Sequence, residues 1–191
     1  DRLGVTMLIS VLTILLSWAI AIPAGVYAAT HQYSFLDYLM SFISFVGLGT
    51  PSFLVALIFM WVMLSVFGVN ISGLYSPEFV SAPWSIAKFL NMLSHIWLPV
   101  VILAVDNTAG VIRTLRANLL DELNKPSIVT ARAKGVSNLK ILFKYPTRSA
   151  LNPIVSTLGW SLSSIFTGST IPAIVLNLPI QGPVMYKALL S

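Results

Sequence analysis

The spacing of the charges constrains this chain more than any other feature. Four stretches carry no charged residue: Leu3–Leu36, Tyr38–Pro77, Phe89–Val105 and Ser149–Tyr186. Three are far longer than the roughly 20 residues with which an apolar helix crosses a bilayer, and Phe89–Val105 is borderline. Of the 191 residues only 9% are charged and 57% are hydrophobic, against roughly 25% and 45–50% in an ordinary soluble domain. A water-soluble fold of this composition would expose bare apolar surface, so the chain reads as an integral membrane protein. The same figures exclude a soluble enzyme, a disulfide-stapled secreted domain and a disordered tail. The absence of cysteine removes thiolate chemistry, zinc–sulfur sites and disulfides. His31 and His95, far apart, argue against a metal site.

Breakers divide the apolar runs. A first span is expected over residues 5–29, with Pro23 and Gly25 in its last turns, followed by a polar turn at 31–34. The next run is too long for one straight helix. Gly49-Thr50-Pro51 splits it, since the residue before a proline avoids helical geometry, into a short helix (36–48) and a span (52–67). Residues 68–95, rich in Gly, Ser and Pro, read as an extramembrane loop with at most a short amphipathic helix at 84–94. A third span is expected from Ile96 to about Arg116, a fourth from Pro153 to about Ile171, and an amphipathic stretch over 184–191. Both ends read as cut, predicting a piece of a longer chain rather than a complete one.

The net charge of +5 could suggest nucleic acid, but its location decides otherwise. Eight of the eleven Lys and Arg residues fall between Arg113 and Arg148, opposed there only by Asp121 and Glu122. Short loops rich in Lys and Arg stay in the cytoplasm, which predicts a cytoplasmic 118–150, an external 68–95, an internal 31–34 turn and an external Asp1. Within the basic segment, Ser127–Lys134 reads as a short helix ended by Gly135, because glycine accepts the left-handed cap conformation without steric cost. Ser137 is placed to cap a second helix over 138–145. A short helix with small residues at 131 and 133 can approach a partner closely, with Arg132 and Lys134 meeting acidic rims.

Thr130-Ala131-Arg132-Ala133-Lys134-Gly135, with Pro153 eighteen residues after Gly135, resembles the cytoplasmic signature of permease subunits of binding-protein-dependent ABC importers. It is most similar to their dipeptide/oligopeptide/nickel branch. Gly4-Val5-Thr6, Pro23-x-Gly25, Thr50-Pro51-Ser52-Phe53, Leu98-Pro99 and Arg113-x-x-Arg116 resemble that branch in order and spacing across nearly the whole chain. The resemblance implies an all-α membrane domain over 1–191, a type I importer-like helical bundle, in which Thr130 to Gly135 form the coupling helix. It also implies partners: a second homologous permease subunit, two ATP-binding subunits that use the ATP, an extracytoplasmic solute-binding protein, and the bilayer of the inner membrane. Peptides or similar small solutes are the implied cargo. The chain departs from the pattern at Ser127, Val129, Pro146, Asn152, Ala173 and Leu178-Pro179-Ile180-Gln181-Gly182.

Asp106 is the only acid inside a predicted span. An intramembrane carboxylate points to function, because desolvating it is costly; satisfaction by neighbouring helices is the structural alternative, and both stay open. Ser156, Thr157, Ser161, Ser163, Ser164, Thr167, Ser169 and Thr170 make the fourth span hydroxylic. They suit close helix packing or a wet pathway wall, with Ser161 and Ser164 as pathway candidates. The five tryptophans, Trp61, Trp84 and Trp97 among them, read as interfacial or packing residues. With no Walker-type glycine loop, nucleophile–base pair or metal-ligand cluster in the sequence, no cofactor is expected on this chain, and ATP hydrolysis is assigned to a partner. An ion-coupled secondary transporter or channel is the alternative from another class, a membrane scaffold with a lipid-binding basic loop a third.

Overall fold

A computed structural model describes residues 2–68 and 72–190, without the side chains of 2, 165–168, 187 and 190. The expected external Asp1 and the Thr167 hydroxyl lie outside the described residues. Eleven α-helices and no strand occur among the described residues: α1 (Arg2–Thr30), α2 (Phe35–Gly49), α3 (Ser52–Phe67), α4 (Pro77–Val80), α5 (Ile86–Leu123), α6 (Pro126–Ala133), α7 (Asn138–Lys144), α8 (Pro146–Ser156), α9 (Leu158–Gly168), α10 (Thr170–Val175) and α11 (Gln181–Leu190). α1 and α5 are long and apolar enough to cross a membrane, and the pair α2–α3 makes a third span if taken together. The break between them falls at Thr50-Pro51, as the proline rule requires.

Two boundaries differ from the sequence expectation. The third span begins not at Ile96 but at Ile86, and α5 runs unbroken through Pro99 for 38 residues. Residues 86–95 are therefore helix continuous with a span, and residues 118–123, expected in the polar loop, close the same helix. The fourth span is instead divided among α8, α9 and α10, with breaks at Thr157 and Ser169. Hydroxyl back-bonds lie at the first of these breaks. Ser156 Oγ donates to the Asn152 carbonyl (2.8 Å) and Thr157 Oγ1 to that of Ile154 (3.0 Å). Side-chain bonds of this kind compete with the helical ladder.

The chain divides into two compact units. The first comprises residues 1–16, 50–106 and 161–191. Its core joins Ile9, Ala56, Ile96, Leu98, Ile102 and Leu176. The backbone N–H of Gln181, at the start of α11, donates to Thr6 Oγ1 on α1 (3.1 Å). The second comprises residues 17–49 and 107–160, with Val26, Ala29, Leu115, Leu119, Ala150 and Ile154 at its core. Gly25 explains how α1 meets α5 there: a Cβ at this position would lie 3.1 Å from Leu115 atoms. In lipid the apolar effect does not drive helices together, so such close approach carries the packing.

Candidate functional site

The basic segment starts where α5 ends. Glu122 and Lys125 form an ion pair (2.6 Å) across the link, and Pro126 opens α6, where its fixed φ suits a first helical turn and its missing N–H costs no bond. Thr130 Oγ1 donates back to the Pro126 carbonyl (3.0 Å). At the other end the N–H groups of Gly135 and Val136 donate to the carbonyls of Arg132 (2.9 Å) and Ala131 (3.2 Å). Gly135 holds φ at +75°, and a Cβ there would meet nothing within 4 Å. The turn needs glycine for its backbone conformation, not for space inside this chain. The helix expected over 127–134 thus exists one residue earlier, and its glycine stop is in place.

α6 is almost unused by its own chain. Ile128 is buried and Ala131 half-buried, whereas Val129, Thr130, Arg132, Ala133, Lys134 and Gly135 are exposed. α7 follows with Ile141 buried and with Leu139 and Phe143 exposed. Ser137 occupies the position before α7, but its hydroxyl makes no capping bond, so the expected cap is absent. A cleft of about 650 Å³ opens beside these helices, lined by Arg132, Leu139, Leu142, Thr30, His31 and Leu123. The segment presents cations, small residues and bare apolar side chains together.

The pathway candidates lie elsewhere. Asp106 is exposed on α5, and no ion pair involving it occurs among the described residues. Ser161 is half-buried and Ser164 exposed on α9, and the Ser164 hydroxyl donates to the Ser161 carbonyl (2.9 Å).

One polar site escaped the sequence reading. Asp37, 2% exposed, accepts Arg116 Nε (2.6 Å) and Nη2 (2.8 Å) on its two carboxylate oxygens. The Tyr33 N–H donates to the same carboxylate (3.0 Å), and the Asp37 N–H donates to Ser34 Oγ (3.2 Å). Tyr33 has φ of +62°, a conformation that a non-glycine residue holds only when its surroundings enforce it. The signals were present: Ser34-x-x-Asp37 has the spacing of a helix-start capping pair, and Arg116 follows Arg113 by one turn directly after an apolar run. One turn before it, Arg113 lies over the Phe45 ring of α2 (5.4 Å). Both arginines of Arg113-x-x-Arg116 therefore hold α2 against α5.

Comparison with known proteins agrees with this architecture. The family model described as binding-protein-dependent transport system inner membrane component matches residues 21–188. The oligopeptide transport system permease protein AppB of Bacillus subtilis (strain 168) is 36% identical over 170 residues, covering 89% of this chain and 52% of that protein. The inner membrane ABC transporter permease protein YejB of Escherichia coli O157:H7 is 32% identical over 200 residues, covering 100% and 53%. The dipeptide transport system permease protein DppB of B. subtilis (strain 168) is 32% identical over 158 residues, covering 83% and 46%. The chain spans about half the length of these relatives. An all-α membrane fold, the exposed glycine-stopped helix and a match over most of the residues converge: the chain belongs to the family of binding-protein-dependent transport system inner membrane components, the permeases of ABC importers.

Proposed function

We propose that this chain lines part of the transmembrane pathway of an ATP-driven importer and that α6, Thr130 to Gly135 at its C-terminal end, seats in a cleft of a separate ATP-binding subunit. The exposure of α6 carries the proposal. A short helix anchored by Ile128 and otherwise uncovered is built to be covered by something else. In this reading ATP binding closes a pair of ATP-binding subunits, and their movement reaches α5 through Asn124 and Lys125. Cargo crosses between this permease and a second, homologous one, delivered by an extracytoplasmic solute-binding protein. Peptides are the proposed cargo class, following the names of the relatives. The test is co-purification: the assembled permease should retain an ATP-binding subunit in mild detergent, and its absence under conditions that retain the second permease would overturn the coupling role.

Topology follows from the same reading. With residues 118–150 in the cytoplasm, a cysteine at Ser81 should react with a membrane-impermeant thiol reagent in intact cells. One at Asn138 should react only after permeabilisation, and the reverse pattern would invert the protein. The chain's lack of native cysteine makes the assay clean.

Asp106 is proposed as a pathway residue, since an exposed carboxylate in a span needs water or an outside partner. Asp106→Asn should lower uptake of cationic peptides several-fold while leaving neutral peptides and subunit assembly unchanged. Equal loss for both peptide classes, or loss of assembly, would assign Asp106 a structural role.

A further inference from the structure

The first three turns of α5 are amphipathic in the opposite sense to a helix in water. The inward face holds the polar side chains together with buried Met92 and Ile96. Lys88, 8% exposed, donates its ammonium to the carbonyls of Ala82 (2.6 Å) and Val80 (3.4 Å) and stands 5.0 Å from the Tyr75 ring centroid. Asn91 accepts the Ser76 N–H and donates to the Ser76 hydroxyl, both at 2.9 Å. The Tyr75 hydroxyl donates to Met92 Sδ (3.6 Å). These bonds bind the loop before α5 to the helix. The outward face carries Ile86 (81% exposed), Leu90 (59%), Phe89, Leu93 and Trp97. Ala87 and Ser94 are exposed there too, and none of these seven residues is charged.

A helix that turns its lysine and asparagine inward and Ile86, Phe89, Leu90 and Leu93 outward meets an apolar solvent on its outer face. Two further observations identify that solvent as lipid. Trp84 (65% exposed) stands just before the apolar face and Trp97 (45% exposed) at its inner end, and an exposed tryptophan such as Trp84 is typical of the membrane interface. The face also belongs to a helix that is itself a span: at about 1.5 Å per residue, the 38 residues of α5 far exceed the roughly 30 Å hydrocarbon core. Counted back from Arg113, about 20 residues of core reach Leu93, so Leu93 and Trp97 fall inside the bilayer and the preceding turns in its headgroup layer. Pro99, which cannot donate to the His95 carbonyl, gives the helix a place to lean.

We infer that residues 84–92 are embedded in the interfacial layer of the leaflet opposite the basic segment, with Ile86, Phe89 and Leu90 at its acyl boundary and Leu93 and Trp97 entering the acyl chains. The lysine-held loop before α5 rides on this segment as a platform at the bilayer surface. The inference rests on the membrane-spanning character of α5 and is independent of the coupling role of α6.

Single cysteines at Ser81, Leu90 and Leu93, spin-labelled in the assembled transporter in liposomes, test it by accessibility to oxygen, which concentrates in lipid, and to a water-soluble nickel chelate. Labels at 90 and 93 should be several-fold more accessible to oxygen than to the chelate, and the label at 81 should show the reverse. Chelate access at 90 and 93 matching that at 81 would place the face in water. Shielding from both reagents would place it under a partner protein, and either result overturns the inference. If labelling disturbs assembly, the fluorescence of Trp84, kept as the sole tryptophan, replaces it. Brominated phospholipid should then quench Trp84 more strongly than aqueous iodide does; stronger quenching by iodide overturns the inference.

Discussion

Gly135→Leu should abolish ATP-driven uptake and leave the permease in the membrane at normal levels. The backbone at this residue is left-handed, with φ of +75°, and a side chain with a Cβ pays about 1–2 kcal/mol to stay there. Relaxing that strain unwinds the stop in which the N–H groups of Gly135 and Val136 return to α6 carbonyls, and so moves Ala131 to Lys134 on the face proposed to dock. Among the described residues nothing beyond its chain neighbours lies within 4 Å of a Cβ placed there, so the expected cost is backbone strain at the turn rather than collision. Gly135→Asn separates conformation from space, because asparagine tolerates the left-handed region. It should keep the α6 stop and lose association only insofar as the partner approaches closely. The measurement is uptake together with the amount of ATP-binding subunit retained. Full uptake and full retention in Gly135→Leu would show the coupling assignment to be wrong.

Arg116→Met destabilises the chain by about 3–5 kcal/mol, the usual cost of removing one partner of a buried ion pair. Asp37 is 2% exposed, so the carboxylate left behind is stranded, with the Tyr33 N–H and water as its remaining partners. Asp37→Asn should do less harm, because its amide oxygen still accepts from Tyr33, and Arg116, 29% exposed at its side chain, can reach water. The double variant Asp37→Asn, Arg116→Met removes both charges and should recover much of the loss, since an ion pair replaced as a whole often costs little. Thermal unfolding of the four proteins in detergent gives the cycle. Additive effects would show that the two side chains are not energetically coupled.

Elements governed by near neighbours were legible from the residues. The α2–α3 break at Thr50-Pro51 needs only the clash between a proline ring and the residue before it. The end of α6 at Gly135 needs only a residue that accepts positive φ, and the long helices α1 and α5 need only uninterrupted apolar sequence. The fourth span misled for the opposite reason: its composition suits a span, but the hydroxyls of Ser156 and Thr157 take up carbonyls of their own helix, and composition does not record where a hydroxyl donates. The start of α5 was hidden in a segment polar enough to resemble a loop, because its lysine, asparagine and histidine face inward.

The sequence by itself determined that the chain is helical and membrane-embedded, where the basic charge lies, and that a glycine-stopped helix sits inside the basic segment. All of these depend on residues within a turn or two of one another. The tertiary structure alone decided that Asp37 meets Arg116 across a separation of 79 residues, that Asp106 is left uncovered by its own chain, and that the first turns of α5 turn their polar side inward. Those facts depend on which helix faces pack together, and in a chain apolar on nearly every face the pattern of hydrophobic residues no longer distinguishes inside from outside. Close approach at Gly25 and the few buried polar bonds make that choice instead, because only they lose free energy when the packing is wrong.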